Sequence, residues 1–221
     1  MIQAELKTRC QYNNDAGFTL SDIKLICGMD ITYLKNTDHS TAACCVYSYP
    51  EMNLLHTVIT TQKINVPYIS GFLAFREVPV YMNLYQKLII ERPELDPDVI
   101  LIDGNGKLHH AEFGSASHLG VILNKRTIGC AKKLFYMDGL NKPNQTEICA
   151  SGVSKLVGES GKLYGYAYLP ANCTNPIYIS PGHRLDEITS LLIVKSVCNY
   201  RVPEPVRMAD ILSRAAISSP P

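Results

Sequence analysis

The chain is most constrained by residues 99–103, VILID, in which four consecutive apolar side chains run directly into an acid. Successive side chains of a strand point to opposite faces, so a strand without polar alternation is buried on both faces of its sheet. Helices must then cover that sheet, which places the chain in the α/β class.

Pro93 and Pro97 separate this run from what precedes it. In residues 71–91, Phe72, Phe75, Val78, Met82, Tyr85 and Ile89 recur at three- and four-residue steps, the period of an amphipathic helix, with Pro79 as a kink or a restart. Further upstream, KLICGMD (24–30) continuing into ITYL, then TAACCVYSY and LLHTVITTQ, read as three strands. The brief polar links between them, including Pro50-Glu51-Met52-Asn53, predict an antiparallel meander.

Downstream, the spacing predicts a helix over 115–123, a strand over 126–131 and a polar excursion over 136–147. A hairpin follows across 158–161, with strands around SKLVG and LYGYAYL, then the strand PIYIS and a helix over 186–200 with Asp186 as its N-cap. The first twenty residues are polar and weakly patterned, and 216–221 reads as a disordered tail. No repeat or linker divides the 221 residues, and a chain of this length buries roughly 70% of its unfolded surface. The expectation is a single catalytic domain over 1–221, a mixed β-sheet (antiparallel meander plus parallel strands) flanked by helices.

A net charge of +1 excludes a protein that holds nucleic acid by bulk attraction, so such contact has to be local. One basic stretch, Lys125, Arg126, Lys132 and Lys133, reads first as a solvated face. The eight cysteines contain no C-x-x-C pair, and Cys44 and Cys45 are adjacent, so reduced, mostly buried thiols in a reducing compartment such as cytosol or nucleus are expected. Neither a secretory signal nor a membrane-length apolar run is visible, and the chain reads as intracellular.

Three acids stand where acids are costly: Asp30 at the end of an apolar strand, Asp103 at the end of VILID, and Glu77 between apolar neighbours on the helix. Singly, Asp103 could open a turn, Asp30 could end a strand and Glu77 could face solvent. Gathered at one edge of a sheet they would repel, and a hard divalent cation with oxygen ligands would relieve the conflict and bind phosphate. Gly104 and Gly106 would let backbone approach a ligand closely. His109 could position or protonate, His110 and His118 are weaker candidates, and Lys132 could place an ammonium on a phosphate or simply be solvated.

The strings G-M-D-I-T-Y, P-Y-I-S-G-F-L-A-F-R-E, D-G-N-G-x-L-H, H-L-G, T-I-G-C-A-K-K, G-H-R and P-E-P-x-R-x-A-D resemble, in order and over nearly the whole chain, the endonuclease V family. The resemblance implies a ribonuclease H-like fold and Mg²⁺-dependent hydrolysis, with Mn²⁺ as a substitute, of the second phosphodiester bond 3′ to inosine, leaving 3′-hydroxyl and 5′-phosphate ends. It carries Asp30, Glu77 and Asp103 over as catalytic and metal-holding carboxylates. His109 and Lys132 become helpers at the scissile phosphate, and His183 and Asp210 join the site. Pro67, Tyr68, Ile69 and Ser70 correspond to a wedge that fills the stack when the base leaves it. Backbone around Gly71, Leu73 and Gly104 would read the O6 and N1 edge of hypoxanthine. Where bacterial members read P-Y-I-P, D-G-H-G and H-P-R, this chain has Ser70, Asn105 and His110-Ala111, which resembles the animal branch and implies a monomer acting on inosine-containing RNA, without a membrane. Deoxyinosine DNA and a catalytically silent inosine-RNA-binding role are the competing readings.

Overall fold

The computed structural model describes residues 2–34, 37–64, 66, 67, 69, 71–143 and 145–218. Its strands are β1 (Leu25–Tyr33), β2 (His39–Ser48), β3 (Leu54–Lys63), β4 (Val99–Ile102), β5 (Arg126–Ala131), β6 (Val153–Val157), β7 (Leu163–Tyr168) and β8 (Ile177–His183). Its helices are α1 (Ile2–Thr8), α2 (Ala74–Glu91), α3 (Ser115–Leu123), α4 (Gln145–Ser151), α5 (Glu187–Ser196) and α6 (Glu204–Ser218).

The strands form one eight-stranded sheet in the order β3-β2-β1-β4-β5-β8-β7-β6. The three central strands β1, β4 and β5 run parallel, and every other neighbour pair is antiparallel. This is the mixed, ribonuclease H-like α/β sheet that the sequence implied. The reading of VILID holds in detail: Val99 and Leu101 face one core with α5 and α6, while Ile100 and Ile102 face the other with α2 and α3. All four are fully buried.

Helix α2 passes through Pro79 without a restart and buries Val78, Tyr81, Leu84 and Leu88 against the sheet. Asp186 caps α5 as expected, its Oδ1 accepting from the Thr189 N–H at 2.7 Å, but the helix ends at Ser196, four residues short of the expected end. The polar excursion closes in the short helix α4, and the first residues fold into α1, which contacts α3. Helix α6 corrects the tail assigned to 216–221: it continues to Ser218, with Ala216 and Ile217 beside Leu34 and Thr61 giving its last turn an apolar seat, and 219–221 lie outside the described residues.

A glycine decides where α6 lies. A Cβ on Gly28 of β1 would come within 2.1 Å of the Pro205 carbonyl carbon, so the start of α6 rests directly on the strand. From there the helix runs along β1 and β2 toward Asp30.

All eight cysteines are free; four are buried, three half-buried, and Cys149 is exposed, so thiol burial is less general than the sequence suggested. Among the described residues no helix is long and apolar enough to cross a membrane. The basic stretch is not one surface. Lys125 and Arg126, at the start of β5, pair with Asp96 and Asp15, whereas Lys132 and Lys133 follow its other end.

Candidate active site

The site is built by strand ends. Ile102, the last residue of β4, pairs with Met29, so Asp30 is the first residue of β1 past that pairing and borders the opening where β4 stops. Asp103 follows immediately, its N–H donating to the Met29 carbonyl at 3.3 Å. On the other side of β4, β5 ends at Ala131 and places Lys132 next to Asp103, Nζ to Oδ2 2.5 Å. A Cβ on Gly129 of β5 would collide with Gly104 and Gly106, so the loop after β4 can fold down only over a glycine.

Two helices bring the remaining groups. Helix α6 contributes Asp210, 3.7 Å from Lys132 Nζ, and Ser213, whose hydroxyl lies 3.3 Å from Asp30 Oδ2. Arg214, one turn beyond Asp210, holds the other Asp210 oxygen at 2.6 Å. Helix α2 contributes Glu77, 7% exposed, which accepts from the Ser115 hydroxyl at 2.8 Å at the start of α3.

The electrostatics follow from this crowding. Burial, then the charges of Asp103 and Asp210, push the Asp30 carboxyl well above the ordinary carboxylate range. Burial also raises Glu77 to about 7; the Ser115 hydrogen bond opposes the shift and the Asp103 charge adds to it. Burial works against the Lys132 ammonium, but Asp103, Asp210 and Asp30 outweigh it and hold Lys132 above its usual value.

As the side chains stand, no three His, Cys, Asp or Glu groups among the described residues surround a common point at which an ion could sit. The donor chemistry still suits a hard divalent cation, because the cluster offers carboxylate oxygen and its acids are destabilised by one another. Such a site can bind a phosphate, neutralise charge developing on it and accept a proton.

The structure brings together Asp30, Asp103, Lys132 and Asp210, with Glu77 close enough to feel the Asp103 charge. His109 is buried; its ring packs on His110 and Phe135, its Nδ1 accepts from the Ala111 N–H at 3.2 Å, and no hydrogen bond joins it to the carboxylates among the described residues. Burial lowers it to about 4, so it is neutral. His183 is not in the cluster. It pairs with Thr127 at the start of β5, the end of the strand away from Lys132, and its Nδ1 accepts from the Gln11 N–H at 3.1 Å. His118 is wedged between Phe75 and Phe113, a packing role.

Of the expected wedge, Tyr68 and Ser70 lie outside the described residues, while Pro67 and Ile69 are exposed. Gly71 has φ +80°, and a Cβ there would meet the His110 ring at 2.3 Å, so a side chain at that position would be strained and would displace the ring. Leu73 precedes the first turn of α2, and Gly104 lies beside Ser115. Sequence reasoning missed Ser213 and Ser115. Ser213 shares a helical turn with Asp210 but carries no local sign of its contact with Asp30, and Ser115 carries no signal beyond opening a helix.

A family model described as Endonuclease V matches residues 4–211. Human Endonuclease V is 40% identical over 205 residues, covering 89% of this chain and 73% of that protein. The crystal structure of the catalytic domain of human Endonuclease V superposes with a TM-score of 0.92 at 36% identity, covering 98% of this chain and 93% of that one. Endonuclease V of Ciona intestinalis, solved in complex with a 24mer DNA containing an inosine followed by a ribo-adenosine, superposes with a TM-score of 0.90 at 35% identity, covering 98% of this chain and 95% of that one.

Proposed function

We propose, from the premise that the chain belongs to the endonuclease V family, that it hydrolyses inosine-containing single-stranded RNA at the second phosphodiester bond 3′ to inosine, leaving 3′-hydroxyl and 5′-phosphate ends. The observation that carries this reading is the convergence of Asp30, Asp103 and Asp210 around Lys132 where β4 stops. Asp30 and Asp103 are the residues that would hold Mg²⁺ or Mn²⁺, with Glu77 behind them. When bound, the ion supplies positive charge to the scissile phosphate and acidifies water.

The chain's own groups do the rest. Glu77, held near neutrality by burial and steadied by Ser115, is suited to take the proton of the attacking water at physiological pH. Lys132, kept charged by three acids, stabilises the charge that gathers on the phosphate oxygens in the transition state. Asp210, fixed by Arg214, holds Lys132 toward the cluster. Gly71, Leu73 and Gly104 offer backbone groups to the base, with the 67–70 segment as the wedge. His109, packed on His110 and Phe135 and accepting from the Ala111 N–H, steadies the segment that follows Gly104 and Gly106.

RNA is favoured over DNA because Ser70, Asn105 and His110-Ala111 follow the animal pattern. The Ciona relative's complex also carries a ribonucleotide directly after inosine, which is what an RNA substrate presents there. A 2′-hydroxyl contact is the physical basis such a preference needs. The test is incubation with Mg²⁺ and matched single-stranded RNAs carrying inosine or adenosine at one position, in competition with deoxyinosine DNA of the same sequence. Cutting confined to the inosine strand, and lost in Asp30→Ala, is expected; equal cutting of both RNAs would overturn the reading, and faster cutting of the DNA would reverse the RNA assignment.

A further inference from the structure

A cavity of about 570 Å³ opens beside the acid cluster, within the size range of nucleotide and cofactor pockets. Its walls come from the segment after β5 (Lys132, Lys133, Tyr136), the loop before α4 (Lys142), β8 (Tyr178) and the chain between α5 and α6 (Arg201). Lys132 belongs to both the cavity and the cluster, so a strand with a phosphate at Lys132 has the cavity as its next space. None of the described residues lining it is acidic.

The cations divide by role. Arg201 is spent on structure: its guanidinium donates to the Pro176 carbonyl at 3.1 and 3.0 Å and to the Lys132 carbonyl, clamping two walls together. Lys133 and Lys142 are exposed and pair with no acid among the described residues. Tyr136 is 62% exposed, an open aromatic face lining the same cavity as these two ammonium groups. Cations for the backbone and an aromatic face for a base are what a groove for single-stranded nucleic acid requires.

We propose that this cavity seats the nucleotide on the 3′ side of the scissile bond, its phosphate between Lys133 and Lys142 and its base on Tyr136. The assignment rests on the functional reading above, which puts inosine at Gly71 and Gly104 and the cut on its 3′ side. The strand leaving past Lys132 is then the 3′ product, and the cavity holds it by charge and stacking without reading its sequence.

The test uses the full chain and a short 5′-phosphorylated single-stranded RNA, the chemistry of the 3′ product, followed by fluorescence anisotropy. The Lys133→Ala/Lys142→Ala double variant and Tyr136→Ala are each expected to lose about tenfold in affinity. A control pair at exposed lysines elsewhere, Lys24→Ala/Lys155→Ala, is expected to bind as the wild type does. In cleavage, extending an inosine RNA beyond the cut should lower KM for the wild type and not for the double variant, with kcat little changed. Equal binding by wild type and cavity variants, or an equal loss in the control pair, overturns the assignment. If the wild type fails to cut inosine RNA while the product strand still binds through Lys133 and Lys142, the functional reading falls and the strand-binding cavity stands.

Discussion

Replacing Asp30 by asparagine removes a charge that burial and two neighbouring acids make costly, so the variant should lose activity and gain stability together. The folded Asp30 holds its proton to higher pH than the unfolded chain does, so the wild type loses stability as pH rises from about 4 upward through the raised value. In metal-free buffer the advantage of Asp30→Asn should therefore grow as pH rises from 5 to 8, read from urea midpoints; a constant difference over that range would contradict the buried charge. Added Mg²⁺ should raise the wild-type midpoint and leave the variant unmoved. His118 works in the opposite direction. Burial between Phe75 and Phe113 lowers it to about 4, with no hydrogen-bond partner at Nδ1 among the described residues. Below about pH 6.5 the unfolded chain takes up a proton that the folded chain refuses, and stability falls toward pH 4. His118→Phe should flatten that acid limb in thermal melts between pH 7 and 5. Lys132→Met should lower kcat about a hundredfold with a smaller change in KM, the signature of charge stabilisation confined to the transition state.

At the scale of elements, Gly28 sets the contact between β1 and α6. Gly28→Ala should displace the start of α6, cost about 1–3 kcal/mol in urea unfolding, and reduce activity by moving Asp210 and Ser213 away from Asp30. Unchanged activity in a folded Gly28→Ala protein would mean that α6 is not needed at the site. The elements that carry a pattern were legible in the sequence: β4 from its unbroken apolar run, α2 from its helical period, α5 from its Asp186 cap. Helix α1 was not, because it buries no side chain and so imposes no periodicity. The last turn of α6 was misread because its apolar seat is made by distant residues around Leu34. Within the site, Asp30, Glu77 and Asp103 could be read as acids in costly places. Asp210 came only through family resemblance, since an exposed-looking acid on an amphipathic helix gives no sign of its target. Ser213 meets Asp30 from 183 positions away, a contact that no local spacing encodes.

For the whole molecule, the balance of charge matters more than its total. With a net charge of +1 and many of the described lysines and arginines paired with acids, the cations beside the acid cluster and its neighbouring cavity are few. Substrate affinity should accordingly weaken only gently with salt, with a log-log slope of about −2 for a single strand met by Lys132, Lys133 and Lys142. A much steeper slope, measured by anisotropy across a salt series, would mean that a wider surface is engaged. The order of the chain adds a constraint of time. Asp30 is made early, Asp103 and Lys132 midway, and Asp210 and Ser213 near the end, on the helix that closes over Gly28. During synthesis the half-built enzyme thus lacks one wall of its own site, and a ribosome-tethered chain halted before residue 204 should not cut inosine RNA. Until α6 has docked on β1, the polypeptide carries its acids without the wall that completes their cluster.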